Sequence, residues 1–448
     1  MSNQWAGAKA LVVGMKKSGM ASAQLLLREG AAVRATDLKS LDDLPDAREF
    51  VARHSIPFER QTPAVFGGCD LIVLSPDVPA DLEPLVAARG RGVAVIGEVE
   101  LAVPFLRGRT IGITGSNGKT TTTSLIGHIL GHAGLPVQLG GNIGTPVTAM
   151  VDSSRDDGWN VLELSSFQLE TIRTFRAHIG LALNVTQNHL DRHHTFENYA
   201  AAKGRLFENM SAEDFAVLNA EDPVCAAYAD HTAATVEWFS GRRVVTPGAS
   251  LSGDELQLDG GPLMRAGEIP IRGHHNVENV LAASVAATRA GVDRTAIAAA
   301  VRTFRAVEHR LEFVRNLSGI DFYNDSKATS VDATLKAVEA FSGGLWVILG
   351  GKDKGLDYSV LRQALSAKAR AVLLIGAAAG KIADQLKGAV PLVNSGTLDA
   401  AVTHAYRGGS PGDTVLLAPA CASFDQFRSF EHRGEVFKQI VQELQAKD

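Results

Sequence analysis

Along the first hundred residues, short apolar runs alternate with stretches whose apolar positions recur at helical spacing. Ala10–Val13 predicts a strand, Ser18–Glu29 a helix and Ala32–Thr36 a second strand; Leu71–Leu74 and Val93–Ile96 predict two more. This β-α-β alternation is the pattern of a parallel, doubly wound sheet, because parallel neighbours need a crossover segment long enough to hold a helix. The rhythm resumes at Ile111 and Ile113 and continues through Val161–Leu164 and Leu181–Val185. Over residues 241–271 it changes. SLSGDELQLDGGPLMRAGEIPI mixes alternating apolar residues with glycine and proline, which predicts hairpin strands on the edge of the unit. Ala282–Ala290 predicts a helix, and a boundary falls near Thr303–Glu308. A third region restarts the rhythm, with Trp346–Leu349, Ala371–Ile375 and Thr414–Leu417 as buried strands.

At 448 residues the chain exceeds what one hydrophobic core serves, so several domains are expected. Forty-four basic residues against 49 acidic ones give a net charge of −5, with no basic run, which argues against nucleic acid as a partner. The longest strongly apolar run, Ala371–Ala379, is too short for a membrane span, and the N-terminus lacks the charged and apolar regions of a secretory signal. Cys69, Cys225 and Cys421 are few and widely spaced, as suits free thiols in a reducing cytoplasm. The expectation is a cytoplasmic protein acting on small molecules, without membrane or nucleic-acid partners and as a monomer.

The densest chemistry lies in TIGITGSNGKTTTTSLIGHIL, Thr110–Leu130. An apolar strand meets a glycine-rich turn, then Lys119 and Thr120, then a helix. Gly115, Ser116, Asn117 and Gly118 can turn backbone N–H groups into one concavity, with positive partial charge from the helix N-terminus. Lys119 can reach the outer phosphates of a nucleoside triphosphate, and Thr120 can hold Mg²⁺. The spacing departs from the common G-x-x-x-x-G-K-[ST] form, since Ile113 stands at the first glycine. Glu163, at a strand end beyond the cradle, is placed to hold Mg²⁺ directly or through water. In NVTQNHLDRHH, His189 is the candidate ligand of a magnesium site; His193 and His194 are expected to be solvated. The first turn, Gly14–Gly19 followed by Asp37, nearly spells a dinucleotide fingerprint, but Lys16 replaces its middle glycine. That suggests the fold adapted to another nucleotide, with Lys16, Lys17 or Lys39 free to meet phosphate.

Nine segments together resemble the Mur ligases, the ATP-dependent amide ligases of peptidoglycan synthesis. They are GITGSNGKTT, GGNIGTP, ELSSFQLE, NVTQNHLDRH, YAAAK, GHHNVEN, EHRLE, NDSKATS and APACASFDQFRSFEHRG, in that order and over nearly the whole chain. The unusual cradle spacing is that family's own. ELSSFQLE, NDSKATS and ACASFDQF resemble its D-glutamate-adding member. The implied fold class is α/β in three domains. A Rossmann-like domain at 1–103 takes the uridine nucleotide, and a central P-loop ATPase-type α/β domain with additional β-strands at 104–307 takes ATP. A Rossmann-like domain at 308–448 takes the amino acid and swings in with it. The implied reaction phosphorylates the substrate's L-alanine carboxylate with ATP. The amine of D-glutamate then attacks the acyl phosphate.

The resemblance also implies site residues. ATP would meet Gly115–Thr121, Asn279, Arg310 and Asp325. Thr120 and Glu163 would bind one Mg²⁺; His189 and Lys203, the latter as a carbamate, would serve a second. Lys119, Glu163, His189, Lys203 and Arg310 form the implied catalytic set. The UDP-linked substrate would meet Lys17, Ser18, Asp37, Lys39, Asn142, Ser165 and His189. D-Glutamate would meet Lys327, Thr329, Lys354, Ser423 and Phe430. Two positions depart from the family, which usually has glycine at Lys16 and at Asp77; an acidic group near a diphosphate is unfavourable unless it points away or caps a helix. The rival readings are a sister Mur ligase adding another amino acid, a folylpolyglutamate-synthase relative, a nucleotide-binding redox protein and a non-catalytic nucleotide sensor.

Overall fold

The structure is a computed structural model describing residues 5–305 and 307–446. Three α/β sheets follow one another along the chain. The first holds β1 (Lys9–Val13), β2 (Ala32–Asp37), β3 (Phe58–Arg60), β4 (Leu71–Leu74) and β5 (Ala94–Gly97), in the order β3-β2-β1-β4-β5 and parallel throughout. Burial explains its apolar runs: β4 is covered on both faces, so every residue of LIVL is buried. Strand order reverses beside β1, so the crevice at its carboxyl end, where Gly14–Gly19 turns into the helix Lys17–Arg28, is where such sheets bind ligands.

The second sheet contains β6 (Arg109–Thr114), β7 (Val137–Gly141), β8 (Trp159–Glu163), β9 (Ile179–Ala182), β10 (Phe215–Asn219), β11 (Thr235–Ser240), β12 (Gly248–Ser252), β13 (Glu255–Leu258) and β14 (Gly261–Arg265). Their order is β14-β13-β12-β11-β10-β9-β6-β8-β7. The run from β7 to β12 is parallel, whereas β12, β13 and β14 are antiparallel, which is the edge hairpin pattern expected over 241–271. β6 sits between β8 and β9, which puts the loop after it beside both of their carboxyl ends.

The third sheet runs β15 (Glu312–Leu317), β16 (Ile320–Asn324), β20 (Thr414–Leu417), β17 (Leu345–Gly350), β18 (Ala369–Ile375) and β19 (Leu392–Gly396). It is parallel except for β15, which pairs antiparallel with β16. The expected strands lie in place, but several bounds move. Leu181–Val185 becomes Ile179–Ala182, and the helix expected from Ala282 begins at His274.

Contacts divide the chain into two compact units. The first runs to Ala266 and includes Glu278–Val301; it carries the first two sheets. The second comprises Gly267–Val277 and everything from Arg302, and carries the third. Among the described residues, no helix is long and apolar enough to cross a membrane.

Candidate active site and its family

In the first unit, the turn from β6 into the helix Lys119–His132 is built for close backbone approach. Gly118 has φ +85°, and a Cβ there would overlap the Asn279 carboxamide. The turn is tied to the chain following β9. Ser116 N–H donates to Asn184 O (2.8 Å), Asn117 N–H to Asn184 Oδ1 (2.9 Å) and Thr186 N–H to Ser116 Oγ (2.9 Å). Asn279 sits beside the cradle, receiving the Thr122 hydroxyl at 3.2 Å.

Two lysines converge on one carbonyl of this loop. Lys119 Nζ donates to Gly115 O (2.7 Å) and Ser116 O (3.1 Å), and Lys203 Nζ donates to the same Gly115 O at 2.9 Å. Lys203 belongs to the helix Phe196–Gly204 and is only 1% exposed. Burial, reinforced by the nearby Lys119 charge, holds its pKa well below the ordinary lysine value. Tyr199, one turn earlier, has Lys203 Nζ 4.5 Å from its ring centre and places its hydroxyl 3.0 Å from Ser116 Oγ. His189 takes the left-handed conformation (φ +54°), packs edge-on to Phe167 (ring centres 5.0 Å apart) and has its ring centre 6.3 Å from that of Tyr199.

Glu163 ends β8 at 3% exposure. Its Oε2 accepts the Thr120 hydroxyl and its Oε1 accepts Asn142 Nδ2, each at 2.8 Å. A buried carboxylate beside a threonine hydroxyl is the hard-oxygen chemistry that suits Mg²⁺. Among the described residues no three His, Cys, Asp or Glu side chains gather into a metal cluster, so such an ion would draw its remaining ligands from elsewhere. Ser165 starts the short helix Ser166–Leu169 with a capping box closed by Gln168.

His193 corrects one expectation. It is not solvated but buried at 5% exposure, with Nε2 2.9 Å from Ser166 Oγ and Nδ1 3.2 Å from Glu170. Glu170 also receives Arg192 at 2.7 Å, and this polar cluster underlies the turn that presents His189. His194 is exposed.

At the first sheet, Lys17 and Lys39 are exposed and Ser18 lies in the first turn of its helix. The Asp37 carboxylate accepts the backbone N–H groups of Met15 (2.7 Å) and Lys39 (2.9 Å), so it braces the turn. Lys16 and Asp77, the two departures, form an ion pair at 2.8 Å.

In the second unit, Asp325 follows β16 and is 7% exposed. It accepts Leu311 N–H at 3.2 Å, and burial pushes its pKa up to about 6 against the pull of Arg310. Lys354 Nζ donates to Thr329 O (3.2 Å) and lies 3.4 Å from its hydroxyl; Lys327 Nζ lies 5.8 Å from the Phe430 ring centre. Ser423 is 2% exposed, after β20. The implied acceptor residues therefore occupy loops at the carboxyl ends of three neighbouring strands, β16, β20 and β17, and the start of the helix Phe430–Glu443.

Sequence reasoning missed Tyr199 and Arg433. Both lie in quoted motifs, four residues before Lys203 and three after Phe430, the spacings that share a helix face.

The arrangement is that of an ATP-dependent ligase, and the family comparisons agree. Residues 113–287 match the Mur ligase middle domain, and residues 309–421 match the Mur ligase, glutamate ligase domain. The chain belongs to the Mur ligase family. Within it, the chain is 75% identical to the UDP-N-acetylmuramoylalanine–D-glutamate ligase of Solibacter usitatus (strain Ellin6076), over 99% of both chains. It is 53% identical to the enzyme of that name from Acidobacterium capsulatum, over 97% of this chain and 96% of that one. Among solved structures, the UDP-N-acetylmuramate-alanine ligase of Thermotoga maritima shares the fold with TM-score 0.62 at 19% identity, covering 97% of this chain and 99% of that one. A pseudomurein peptide ligase from Methanothermus fervidus does so with TM-score 0.61 at 19% identity, covering 98% and 100%.

Proposed function

We propose that the chain joins D-glutamate to the L-alanine carboxylate of UDP-N-acetylmuramoyl-L-alanine, using ATP, in peptidoglycan precursor synthesis. The observation that carries this reading is the cradle geometry, Lys119 and Lys203 on Gly115 O with Glu163 beneath, in a chain matched end to end by D-glutamate ligases.

A carboxylate is a poor electrophile. Its oxygen attacks the ATP γ-phosphorus, ADP leaves, and the resulting acyl phosphate carries phosphate as a leaving group on the acyl carbon. The D-glutamate ammonium gives up one proton and its amine adds to the acyl carbon; the adduct nitrogen gives up a second proton as phosphate departs, and the amide remains. Little covalent work falls to the protein, so catalysis rests on positioning and on neutralising oxygen charge. The Gly115–Thr121 turn holds the phosphates through backbone N–H groups, and Lys119 turns from its carbonyls to the β/γ oxygens. Asn279 meets adenine, while Asp325 takes the ribose hydroxyls and Arg310 the phosphates. Asn142, Ser165 and His189 orient the muramoyl-alanine portion, and the turn after β1 receives the uridine nucleotide through Lys17, Ser18, Asp37 and Lys39.

Thr120 and Glu163 would hold one Mg²⁺, and His189 with Lys203 a second. These ions would supply Lewis-acid neutralisation of the transferring phosphoryl oxygens. Lys203 fits that role as a carbamate. Burial lowers its pKa and so favours the neutral amine, which can add to CO₂ with loss of a proton and become an anionic oxygen ligand. The scheme draws on one chain alone, and we assign it to a cytoplasmic monomer.

The test is ATP-dependent phosphate release with UDP-N-acetylmuramoyl-L-alanine, each amino acid being omitted in turn. Release that requires D-glutamate supports the reading; release that requires L-lysine or diaminopimelate instead overturns it.

A further inference from the structure

Among the described residues Arg433 is the largest fully buried side chain, at 0% exposure. Its guanidinium makes only neutral hydrogen bonds. Nε donates to Ser326 Oγ (2.9 Å), Nη2 to Ser326 O (2.8 Å), and Nη1 and Nη2 to Cys421 O (both 3.3 Å). Among the described residues no carboxylate comes within ion-pair distance of it. The Asp425 charge acts on it only from beyond that distance, and a buried cation with no carboxylate in contact is costly and is seldom kept without a use. Its surroundings suggest one. Ser326 lies next to Lys327, Cys421 lies two residues before Ser423, and Arg433 itself lies one turn beyond Phe430. Ser326 Oγ also donates to Phe430 O at 2.7 Å. One side chain thus ties together the loops that carry four of the five residues assigned to D-glutamate. The fifth, Lys354, feels the Arg433 charge, which adds to burial in lowering its pKa.

The packing around Arg433 is closed. Gly434 leaves room for His309, whose Nδ1 an added Cβ would overlap, and Asn324 Nδ2 lies 2.9 Å from the same nitrogen. Full burial and four hydrogen bonds hold the guanidinium in place, so its influence passes through the loops it holds and through its field.

We infer that Arg433 is a specificity-determining residue that selects a dicarboxylate acceptor, its unpaired buried charge adding to Lys327 and Lys354 behind the pocket. The inference rests on the reading of this site as the D-glutamate pocket. With two carboxylates, D-glutamate brings negative charge into the field of Arg433. An acceptor whose side chain ends in an amide brings half of that charge.

The experiment compares kcat/KM for D-glutamate and D-glutamine, with KM for ATP, in wild type, R433Q, R433K and S326A. The expected result is a fall of about tenfold or more for D-glutamate in R433Q, with a much smaller fall for D-glutamine and an unchanged KM for ATP, as loss of one charge-assisted interaction gives. R433K keeps the charge and should keep the D-glutamate to D-glutamine ratio. S326A loosens the guanidinium without removing it, and should raise KM for D-glutamate but not for ATP. Equal losses for both amino acids in R433Q, or R433K behaving like R433Q, overturn the inference. If neither Arg433 variant folds, an equal rise of both Michaelis constants in S326A overturns it. A wild type that does not use D-glutamate at all overturns the functional reading instead.

Discussion

Lys16 and Asp77 pair with each other, Nζ to Oδ2, at 2.8 Å across the two loops that flank the carboxyl end of β1. Each replaces a glycine usual in the family, and together they explain how both are tolerated. Asp77 alone would repel a bound diphosphate. Lys16 beside it offsets that charge. The pair is well exposed, with side-chain exposures of 65% and 70%, so its own contribution to stability is small, about 0–1 kcal/mol.

The pair should behave as a coupled unit in substrate binding. K16A leaves Asp77 unbalanced and is expected to raise KM for the UDP-linked substrate about tenfold, the size of one lost phosphate contact. D77A frees Lys16 for phosphate and should lower that KM. The double variant should fall between them. A double-mutant cycle at low and high salt measures the coupling. Additive effects, insensitive to salt, would show that neither residue acts at the diphosphate.

Lys203 should be found as a carbamate. The amine is buried at 1% exposure on Gly115 O, and its pKa is held low by burial and by Lys119. K203A is expected to lose about 100-fold or more in kcat, as befits a lost charge near a transferring phosphoryl group, and to regain part of it with added formate or acetate. ¹³C NMR with labelled bicarbonate reads the adduct directly. An unlabelled Lys203, with activity indifferent to bicarbonate removal, would rule it out.

Much of the fold was legible because periodicity reports burial. The runs Leu71–Leu74 and Thr414–Leu417 coincide with their strands, since both are covered on two faces. β15 was not foreseen: as an edge strand it is only partly buried, and EFVRNL carries no clean alternation. The cradle was readable because glycine, lysine and threonine sit there in sequence. Arg433 and His193 were not assigned from sequence, because their partners Ser326, Cys421, Ser166 and Glu170 are brought to them only by the fold. A histidine in a polar run, as His193 is, reads as solvated until a tertiary contact removes it from water.

Asp325 gives a pH signature. Its pKa is raised by burial from the ordinary 3.8 to about 6. A raised carboxylate pKa means the folded state takes up a proton that the unfolded chain releases. This favourable contribution to stability is fully present below 3.8 and is lost as pH rises through about 6. Ribose hydroxyls, as donors, prefer the ionised form. KM for ATP should therefore rise up to about tenfold between pH 7 and pH 5, following the loss of the ionised fraction. D325N should bind ATP less well at pH 7 and show a flat profile over this interval. A wild-type KM for ATP that stays constant over the same interval would separate Asp325 from the ribose.

The choice of amino acid can be tested at Ser423. D-Glutamate presents two carboxylates, and the loops offer Lys327, Thr329, Lys354 and Ser423, the last of these 2% exposed. Lys354 already rests on Thr329, so the donors are ordered before a ligand arrives and little entropy is lost in aligning them. A neutral amino acid would leave one or more of these donors unmatched in a closed pocket, at about 1–3 kcal/mol each. A cationic one would meet like charge. The enzyme should therefore prefer D-glutamate strongly over D-glutamine, L-lysine and meso-diaminopimelate. S423A removes one hydroxyl donor and no charge, so KM for D-glutamate should rise about five- to tenfold, as one lost hydrogen bond gives, while KM for ATP holds. Steady-state kinetics with each substrate varied separately decides the matter. An equal rise in both constants would mean that Ser423 supports the loop and not the acceptor, and comparable use of L-lysine would move the chain to another branch of its family.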